Sequence, residues 1–275
     1  MSLVEIRNVS KRFDGGGFIR RPGPLVLDNV TLSVAAGQTL GIVGESGSGK
    51  STLLRCILRL IRPNSGQIFF EGQDVWSLKG ADLLAMRRKI QAVFQDPASS
   101  FNPRQRVGSI LRAPLDVHGI GPRRSRDDAV AETLLRVGLP ADFATRFPHQ
   151  LSGGQRQRVA IGRAIITGPS VVLADEPTSA LDVSVQAQIL NLFRDTKQSL
   201  GLTSIFVSHN LAVVRYLSDH VAVMKQGQVV ESGPSETVFS NPQHAYTRAL
   251  LDAVPDPKRQ RSPVLPISRE EYLND

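Results

Sequence analysis

A glycine-rich segment between two apolar runs constrains the fold of this chain more than any other feature. Residues 44–52 read GESGSGKST and fit the pattern G-x-x-x-x-G-K-[ST] from Gly44 to Ser51. The preceding run, QTLGIVG, predicts a buried strand, and the following run, STLLRCILRLI, spaces its leucines and isoleucines as on one face of a helix. A strand, a glycine loop and a helix in this order favour an α/β fold.

The residue types in this loop suit a phosphate group. Glycines let successive backbone N–H groups turn towards one anion, and the helix that begins there adds the positive end of its dipole. Lys50 is expected to reach the β- and γ-phosphates of a nucleotide, and Ser51 a magnesium ion. A glycine turn with an exposed lysine is the alternative. The candidate binding residues of the loop are Gly44, Ser46, Gly47, Gly49, Lys50, Ser51 and Thr52.

A second apolar run, VVLADE, ends in two acidic residues. Asp175 stands at the carboxyl end of a predicted strand, where a parallel sheet places ligand groups, and is the candidate magnesium ligand. Glu176 follows, and adjacent side chains at a strand end can point apart. It is therefore the candidate general base for attack of water on a γ-phosphate. A solvated turn at DEP is the alternative.

The remaining pattern extends the α/β prediction. Residues 3–13 and 26–34 roughly alternate apolar and polar side chains, as half-buried antiparallel strands do. Residues 96–167 have few β-branched runs and predict a helical insertion. Apolar strands then alternate with helices, which favours a mostly parallel sheet covered on both faces. The predicted elements are strands at SVVLADEP and TSIFVSHN, helices at VQAQILNLFRDTKQSL and LAVVRYLSD, and a hairpin at HVAVMKQGQVVESG.

Composition excludes several classes of protein. The single cysteine, Cys56, excludes an internal disulfide and a thiolate metal cluster, and is expected to be buried on a helix. The apolar runs are far shorter than the roughly 18 residues of a spanning helix, and the charged N-terminus does not resemble a secretory signal. The net charge of +8 comes from scattered arginine clusters with only 5% aromatic residues. This favours a solvated basic surface, with an anionic membrane face or nucleic acid as alternatives.

A second glycine-rich segment, LSGGQRQRVAIGRA, covers residues 151–164. It carries no lysine and no strand precedes it, so it is a poor phosphate loop by itself. Ser152, Gly153, Gly154 and Gln155 instead begin a predicted helix, whose dipole could receive an anion. The segment is therefore predicted to be half of a site.

The order GESGSGKST, AVFQD, LSGGQ, VVLADEPTSALD and FVSHN resembles the ATP-binding subunits of ABC transporters over nearly the whole chain. This resemblance implies a P-loop NTPase core of the RecA-like type with an antiparallel β subdomain and an inserted α-helical subdomain. It also implies ATP and Mg²⁺ as ligands. In that family two nucleotide domains meet head to tail, and each signature loop closes on the ATP held by the other subunit.

The resemblance assigns further roles by position. Phe13 is expected to stack on adenine, although Phe18 is a rival and a core phenylalanine is the alternative. Gln95 is expected to touch magnesium and the attacking water, and to sense a membrane partner. Asp182 would cross the dimer interface. His209 would contact the γ-phosphate, an anion that favours protonated histidine. Asparagine at position 210 departs from the family, where aspartate usually follows this histidine.

Three stretches are similar to the oligopeptide, dipeptide and nickel importer group. They are QDPASSFNPRQRVGSILRAPL, ALDVSVQAQIL and NPQHAYTRALLDAVPDP. The similarity implies an ATPase domain at 1–240, a C-terminal extension at 241–275 and a peripheral location on the cytoplasmic face of the membrane. The implied partners are a second ATPase subunit, as heterodimer or homodimer, two integral membrane permease subunits and an extracytoplasmic solute-binding protein. FNPRQRVGSIL is the expected groove for the membrane partner.

Two other functions remain open. One is an ABC-type ATPase acting on ribosomes or DNA, with basic charge as its only support; a single cassette and the lack of a long coiled coil oppose it. The other is a binding-only subunit with a dead site, which the presence of Glu176 and His209 opposes.

Overall fold

The computed structural model describes residues 2–14, 22–96 and 100–253 of the 275-residue chain. The strands are β1 Ser2–Asp14, β2 Pro22–Ala35, β3 Thr39–Val43, β4 Ser65–Phe70, β5 Gln73–Asp74, β6 Ile90–Val93, β7 Val171–Asp175, β8 Thr203–Ser208, β9 His220–Lys225 and β10 Gln228–Pro234. The helices are α1 Lys50–Ile57, α2 Gly80–Lys89, α3 Val107–Val117, α4 Arg123–Arg136, α5 Gly153–Ile165, α6 Val183–Leu200, α7 Leu211–Leu217, α8 Ser235–Ser240 and α9 Ala245–Asp252.

A four-stranded antiparallel sheet has the order β2-β1-β4-β5. Its two long strands pair along most of their length, with Val4 opposite Val34 and Ile6 opposite Leu32. These side chains are buried while neighbours face solvent, which confirms the predicted antiparallel strands. The glycines and prolines of residues 14–24 indicate a loop, but β1 runs to Asp14 and β2 already begins at Pro22. Residues 15–21, including Phe18, lie outside the described residues.

A six-stranded sheet has the order β10-β9-β3-β8-β7-β6. Its strands β9, β3, β8, β7 and β6 are parallel, and β10 pairs antiparallel with β9. The central strands β3, β7 and β8 are buried at every position because the sheet is covered on both faces. The carboxyl ends of β3, β6, β7 and β8 meet at one edge of this sheet, where ligand sites of parallel sheets lie.

Helices occupy the chain between β6 and β7, and no strand occurs there in the part that the structure describes. Helices α3, α4 and α5 meet around the fully buried Leu111, Leu134 and Ile161. Gly162 permits their close approach, since a Cβ there would lie 3.2 Å from the Leu111 side chain. This cluster continues onto one face of the six-stranded sheet, so the helical segment and the sheet share a core.

Helix α1 is shorter than the sequence pattern predicts. The pattern runs to Ile61, but the helix ends at Ile57. Arg59 adopts a left-handed conformation with φ 58°, and the Arg55 carbonyl accepts the N–H groups of Leu60 and Ile61. These bonds close the helix end and turn the chain out of its axis. Cys56 is fully buried on this helix, as predicted, and burial raises the pKa of its thiol to about 11.

The last elements pack on the side of β9. Helices α8 and α9 contribute Val238 and Tyr246 to a cluster that includes Val43, the last residue of β3. The run HAYTRALL is typical of a short amphipathic helix, and α9 confirms this. The run PDPKRQRSPVLP, whose prolines predict an extended segment at 255–266, lies outside the described residues. Within the described ranges, no helix has the length and apolar character that crossing a membrane requires.

Candidate active site

The first glycine loop connects β3 to α1. Its glycines are required because a side chain would clash with neighbouring backbone atoms or because the residue has a positive φ. Gly49 has φ 102°, and a Cβ there would lie 2.5 Å from the Val26 carbonyl oxygen. Gly47 has φ 81°. A side chain at Gly44 would collide with the Met224 carbonyl. The loop therefore keeps its backbone exposed around Ser46 and Gly47, where N–H groups can meet an anion.

Lys50 begins α1 with a buried side chain that lies inside this loop. Its Nζ donates to the carbonyls of Gly44 and Glu45, both at 2.7 Å, and more weakly to Ser48 Oγ at 3.4 Å. Burial lowers the pKa of Lys50, and the opposing charges of Glu176 and Asp175 raise it. The ammonium group is thus held under the loop by carbonyl groups that an incoming phosphate could replace.

Ser51 and Asp175 meet between α1 and the end of β7. Ser51 Oγ donates to Asp175 Oδ1 at 2.9 Å. Asp175 is only 7% exposed, and burial raises its pKa while the bond from Ser51 lowers it. No group of three or more histidine, cysteine or acidic residues that could hold a metal occurs among the described residues.

Glu176 and His209 leave neighbouring strands and meet directly. His209 Nδ1 lies 2.9 Å from Glu176 Oε2. Glu176 adopts a left-handed conformation with φ 45°, and its N–H donates to the Val207 carbonyl at 3.0 Å. Such a conformation costs of the order of 1 kcal/mol or more and is found where the surroundings fix a side chain. The carboxylate is therefore held in one orientation beside the imidazole.

The second glycine-rich loop begins α5 as predicted. Ser152 is the N-cap: its Oγ accepts the Gln155 N–H at 3.3 Å, and Gln155 Oε1 accepts the Ser152 N–H at 3.0 Å. This reciprocal capping box fixes the helix start. Gly154 packs against α6, where a Cβ would lie 2.5 Å from Val185 Cγ1. Ser152 itself is exposed, so the N-terminus of a 13-residue helix faces outward.

Gln95 lies beside this second loop. It is exposed just after β6 and lines a cavity of about 90 Å³ together with Gly153, Pro177 and Gln157. Sequence reasoning missed Gln157. Its side chain is 1% exposed, and its Nε2 has no hydrogen-bond partner among the described residues. A single glutamine in a helical run gives no signal of this kind, because only the packing shows that it faces the cavity.

Asp182 and Asn210 both cap helices. Asp182 accepts the Val185 N–H at 2.9 Å at the start of α6, and the hydrogen bond from Ser184 lowers its pKa. Asn210 accepts the Ala212 N–H at 2.9 Å at the start of α7. Asparagine caps a helix as well as aspartate does. The start of α7 therefore keeps its cap although this chain has asparagine where the family usually has aspartate.

Phe13 is near the end of β1 and is 38% exposed, with Lys11 Nζ 5.3 Å from its ring centroid. The alternative of a core phenylalanine is therefore wrong. Stacking on adenine stays a prediction, and the rival Phe18 is among the residues that the structure does not describe.

Two family models match this chain, and named relatives cover most of its length. Residues 27–179 match the family model described as ABC transporter, and residues 230–273 match the model described as oligopeptide/dipeptide transporter, C-terminal region. The oligopeptide transport ATP-binding protein AppF of Bacillus subtilis is 46% identical over 95% of this chain and 80% of its own length. The dipeptide transport ATP-binding protein DppF of Lactococcus lactis is 45% identical over 96% and 86%.

A solved structure gives the same fold. It is the dimeric ATP-binding cassette MJ0796 in a post-hydrolysis state with ADP and phosphate, which superposes with a TM-score of 0.74 at 33% identity and covers 84% of this chain and 98% of its own. The predicted α/β fold class is thereby confirmed. The chain belongs to the ABC transporter family, in which it is an ATP-binding cassette with ATPase activity.

Proposed function

We propose that this chain is the ATP-hydrolysing subunit of an importer for peptides or a chemically related small solute. The observation that carries the proposal is that one chain holds both the ABC cassette at 27–179 and the oligopeptide/dipeptide C-terminal region at 230–273. Relatives named as oligopeptide and dipeptide transport proteins support it. Action on ribosomes or nucleic acid has no comparable support.

Lys50 and the loop glycines bind the phosphates of ATP. The two carbonyl contacts of Lys50, at 2.7 Å each, give way to contacts with the β- and γ-phosphates. Phosphate charge offsets the effect of burial on the Lys50 pKa, because an adjacent anion favours the charged ammonium. The backbone N–H groups of residues 47–52 complete the cradle at the start of α1.

Magnesium fits the oxygen donors that meet at the end of β7. Ser51 and Asp175 are hard donors within 2.9 Å of each other, so one small cation can contact both. Mg²⁺ is usually held by one or two protein groups together with phosphates and water, which agrees with this sparse set. Gln95 is the third candidate ligand. The ion would neutralise charge on the phosphates that these residues hold.

Glu176 acts as the general base. The water oxygen attacks the γ-phosphorus, its proton passes to Glu176, and the bond to ADP breaks. His209 orients the Glu176 carboxylate through the 2.9 Å contact at Nδ1. Its other ring nitrogen is then available to the γ-phosphate.

The second loop serves the ATP bound by another subunit. Ser152, Gly153, Gly154 and Gln155 present the exposed N-terminus of α5 to that γ-phosphate. Asp182, exposed at the start of α6, contributes to the interface between the cassettes. Phe13 stacks on adenine. That the structural neighbour MJ0796 is dimeric supports two cassettes in the working assembly.

Membrane subunits dock on the helical segment. An open cavity of about 580 Å³ lies between α3 and α4 and is lined by Arg106, Gly108, Arg112 and Asp116. From the predicted FNPRQRVGSIL groove, Gln105, Arg106, Gly108 and Ser109 line this cavity. ATP-driven closure of two cassettes would move this groove and the permease bound to it. The proposed assembly has a second ATPase subunit, two permeases and an extracytoplasmic binding protein, with this chain on the cytoplasmic face.

Co-purification tests this proposal. The chain is tagged in its own cell, the membranes are solubilised gently, and the bound proteins are identified by mass spectrometry. We expect two polytopic membrane proteins and a cassette ATPase, either this chain or a second one. Recovery with ribosomes or DNA and without membrane proteins would contradict the importer.

A further inference from the structure

The C-terminal helix α9 contacts the phosphate loop directly. The Tyr246 hydroxyl accepts a hydrogen bond from the Glu45 N–H at 3.3 Å, across 201 positions of sequence. That N–H belongs to the same peptide group as the Gly44 carbonyl, which accepts the Lys50 ammonium at 2.7 Å. One peptide group in the first turn of the loop is thus held from two sides, by Lys50 and by Tyr246.

Packing fixes the Tyr246 side chain in this position. The residue is 8% exposed and belongs to the same apolar cluster as Val43, which directly precedes the loop. Lys225 Nζ lies 4.6 Å from the centroid of its ring. Burial, together with the nearby charge of Glu45, raises the pKa of the phenol, so the hydroxyl stays protonated near neutral pH. The hydroxyl is therefore a fixed neutral acceptor for the loop.

The start of α9 is tied to the sheet. Glu231 on β10 accepts the N–H groups of Gln243 and His244 at 2.8 and 3.0 Å. His244 Nδ1 in turn accepts the Tyr246 N–H at 3.1 Å and caps the helix. A continuous set of hydrogen bonds therefore runs from the β10 strand through the helix cap to the phosphate loop.

We propose that Tyr246 is a positioning residue for ATP: its hydroxyl restrains the first turn of the phosphate loop before the nucleotide arrives. The inference rests on the proposed role of this loop. A loop ordered in advance loses less conformational entropy on binding and so has higher affinity. Helix α9 lies within the matched C-terminal region at 230–273. Packing of α9 against the phosphate loop and the affinity of the loop for ATP are therefore coupled.

The variant Tyr246→Phe removes only the hydroxyl and keeps the packed ring. The net contribution of one hydrogen bond corresponds to a change of about two- to tenfold in affinity. We expect KM for ATP, and Kd for a fluorescent ATP analogue without magnesium, to rise by about this factor. The value of kcat should stay close to wild type, and the Tm should fall by no more than about 2–4 °C per kcal/mol of lost stability, a split that a general loss of structure would not produce.

Tyr216→Phe is the matched control. The Tyr216 hydroxyl also makes a hydrogen bond, but as a donor: it donates to Asn191 Oδ1 on α6, which is not part of the phosphate loop. We expect its ATP affinity to equal that of the wild type. Hydrogen exchange provides a second measurement: the Glu45 amide should be protected in nucleotide-free wild type and exchange faster in Tyr246→Phe.

Three results would each overturn this inference. The first is a KM and Kd of Tyr246→Phe that equal the wild-type values, and the second is an equal loss of ATP affinity in Tyr216→Phe. The third is a Glu45 amide that exchanges without protection in the wild type. Lys50→Ala separates it from the proposed function. If Lys50→Ala loses ATP binding while Tyr246→Phe binds normally, only the role of Tyr246 is wrong. If Lys50→Ala binds ATP normally, the assignment of this loop as the phosphate-binding site is wrong, and the inference about Tyr246 is wrong as well.

Discussion

Replacing Glu176 by glutamine should stop ATP turnover while leaving ATP bound. Glutamine has nearly the same shape and can keep the contact with His209 Nδ1, which is 2.9 Å in the native protein. The left-handed backbone at φ 45° and the bond to the Val207 carbonyl do not involve the side chain and should persist. The amide cannot take a proton from water, so the variant loses the base and little else.

The magnitude follows from that single loss. A positioned general base contributes about 10²- to 10⁴-fold to the rate, or about 2.7–5.4 kcal/mol of barrier at roughly 1.36 kcal/mol per factor of ten. Steady-state phosphate release measures kcat. Light scattering with ATP and magnesium reports whether a closed dimer accumulates, as we expect in Glu176→Gln.

Glu71→Gln is the matched control. Glu71 is also a glutamate with positive φ, at 50°, but it lies on the surface and pairs with Lys89. We expect its turnover to equal that of the wild type. Turnover by Glu176→Gln within about threefold of the wild type would refute the assignment of the base, since a positioned general base typically contributes about 10²-fold or more.

Three further predictions concern the site and its supports. Ser51→Ala removes a proposed magnesium ligand and the hydroxyl that donates to Asp175 at 2.9 Å. The magnesium concentration that gives half-maximal ATPase activity should therefore rise by about tenfold. An unchanged magnesium requirement would exclude Ser51 as a ligand. Cys56 should not react with a thiol reagent at pH 8 until the protein unfolds in urea, because it is fully buried and its pKa is raised to about 11; rapid labelling of the folded protein would contradict this. Asn210→Asp should keep the Tm of the wild type, whereas Asn210→Ala should lose the cap of α7 and about 1 kcal/mol of unfolding free energy in urea titrations; equal stability of both variants would show that the cap does not contribute.

Local patterns account for much of this structure. The strand before the first glycine loop, the helix after the second and the acidic end of β7 each depend on short-range hydrophobic spacing and glycine conformation, which the sequence displays directly. The meeting of Ser51 with Asp175 follows from the rule that carboxyl ends of parallel strands share one edge. The end of α1 at Ile57 was not predictable from spacing, because it depends on a left-handed Arg59.

Long-range contacts were beyond the sequence pattern. The bond between Tyr246 and the Glu45 N–H joins residues 201 positions apart, and nothing in HAYTRALL indicates its partner. The burial of Gln157 depends in the same way on how α5 packs against the loop after β7. Its helical spacing alone is equally compatible with a surface glutamine.

ATP-driven uptake by the reconstituted complex tests the central claim most directly. The complex that co-purifies with this chain is placed in vesicles with its binding protein, and accumulation of labelled di- to pentapeptides and of chelated Ni²⁺ is measured with ATP on the cassette side. We predict accumulation of one of these solutes that requires ATP and is lost in the complex carrying Glu176→Gln. A complex that hydrolyses ATP but accumulates none of them, or that accumulates solute equally well with Glu176→Gln, would contradict the account.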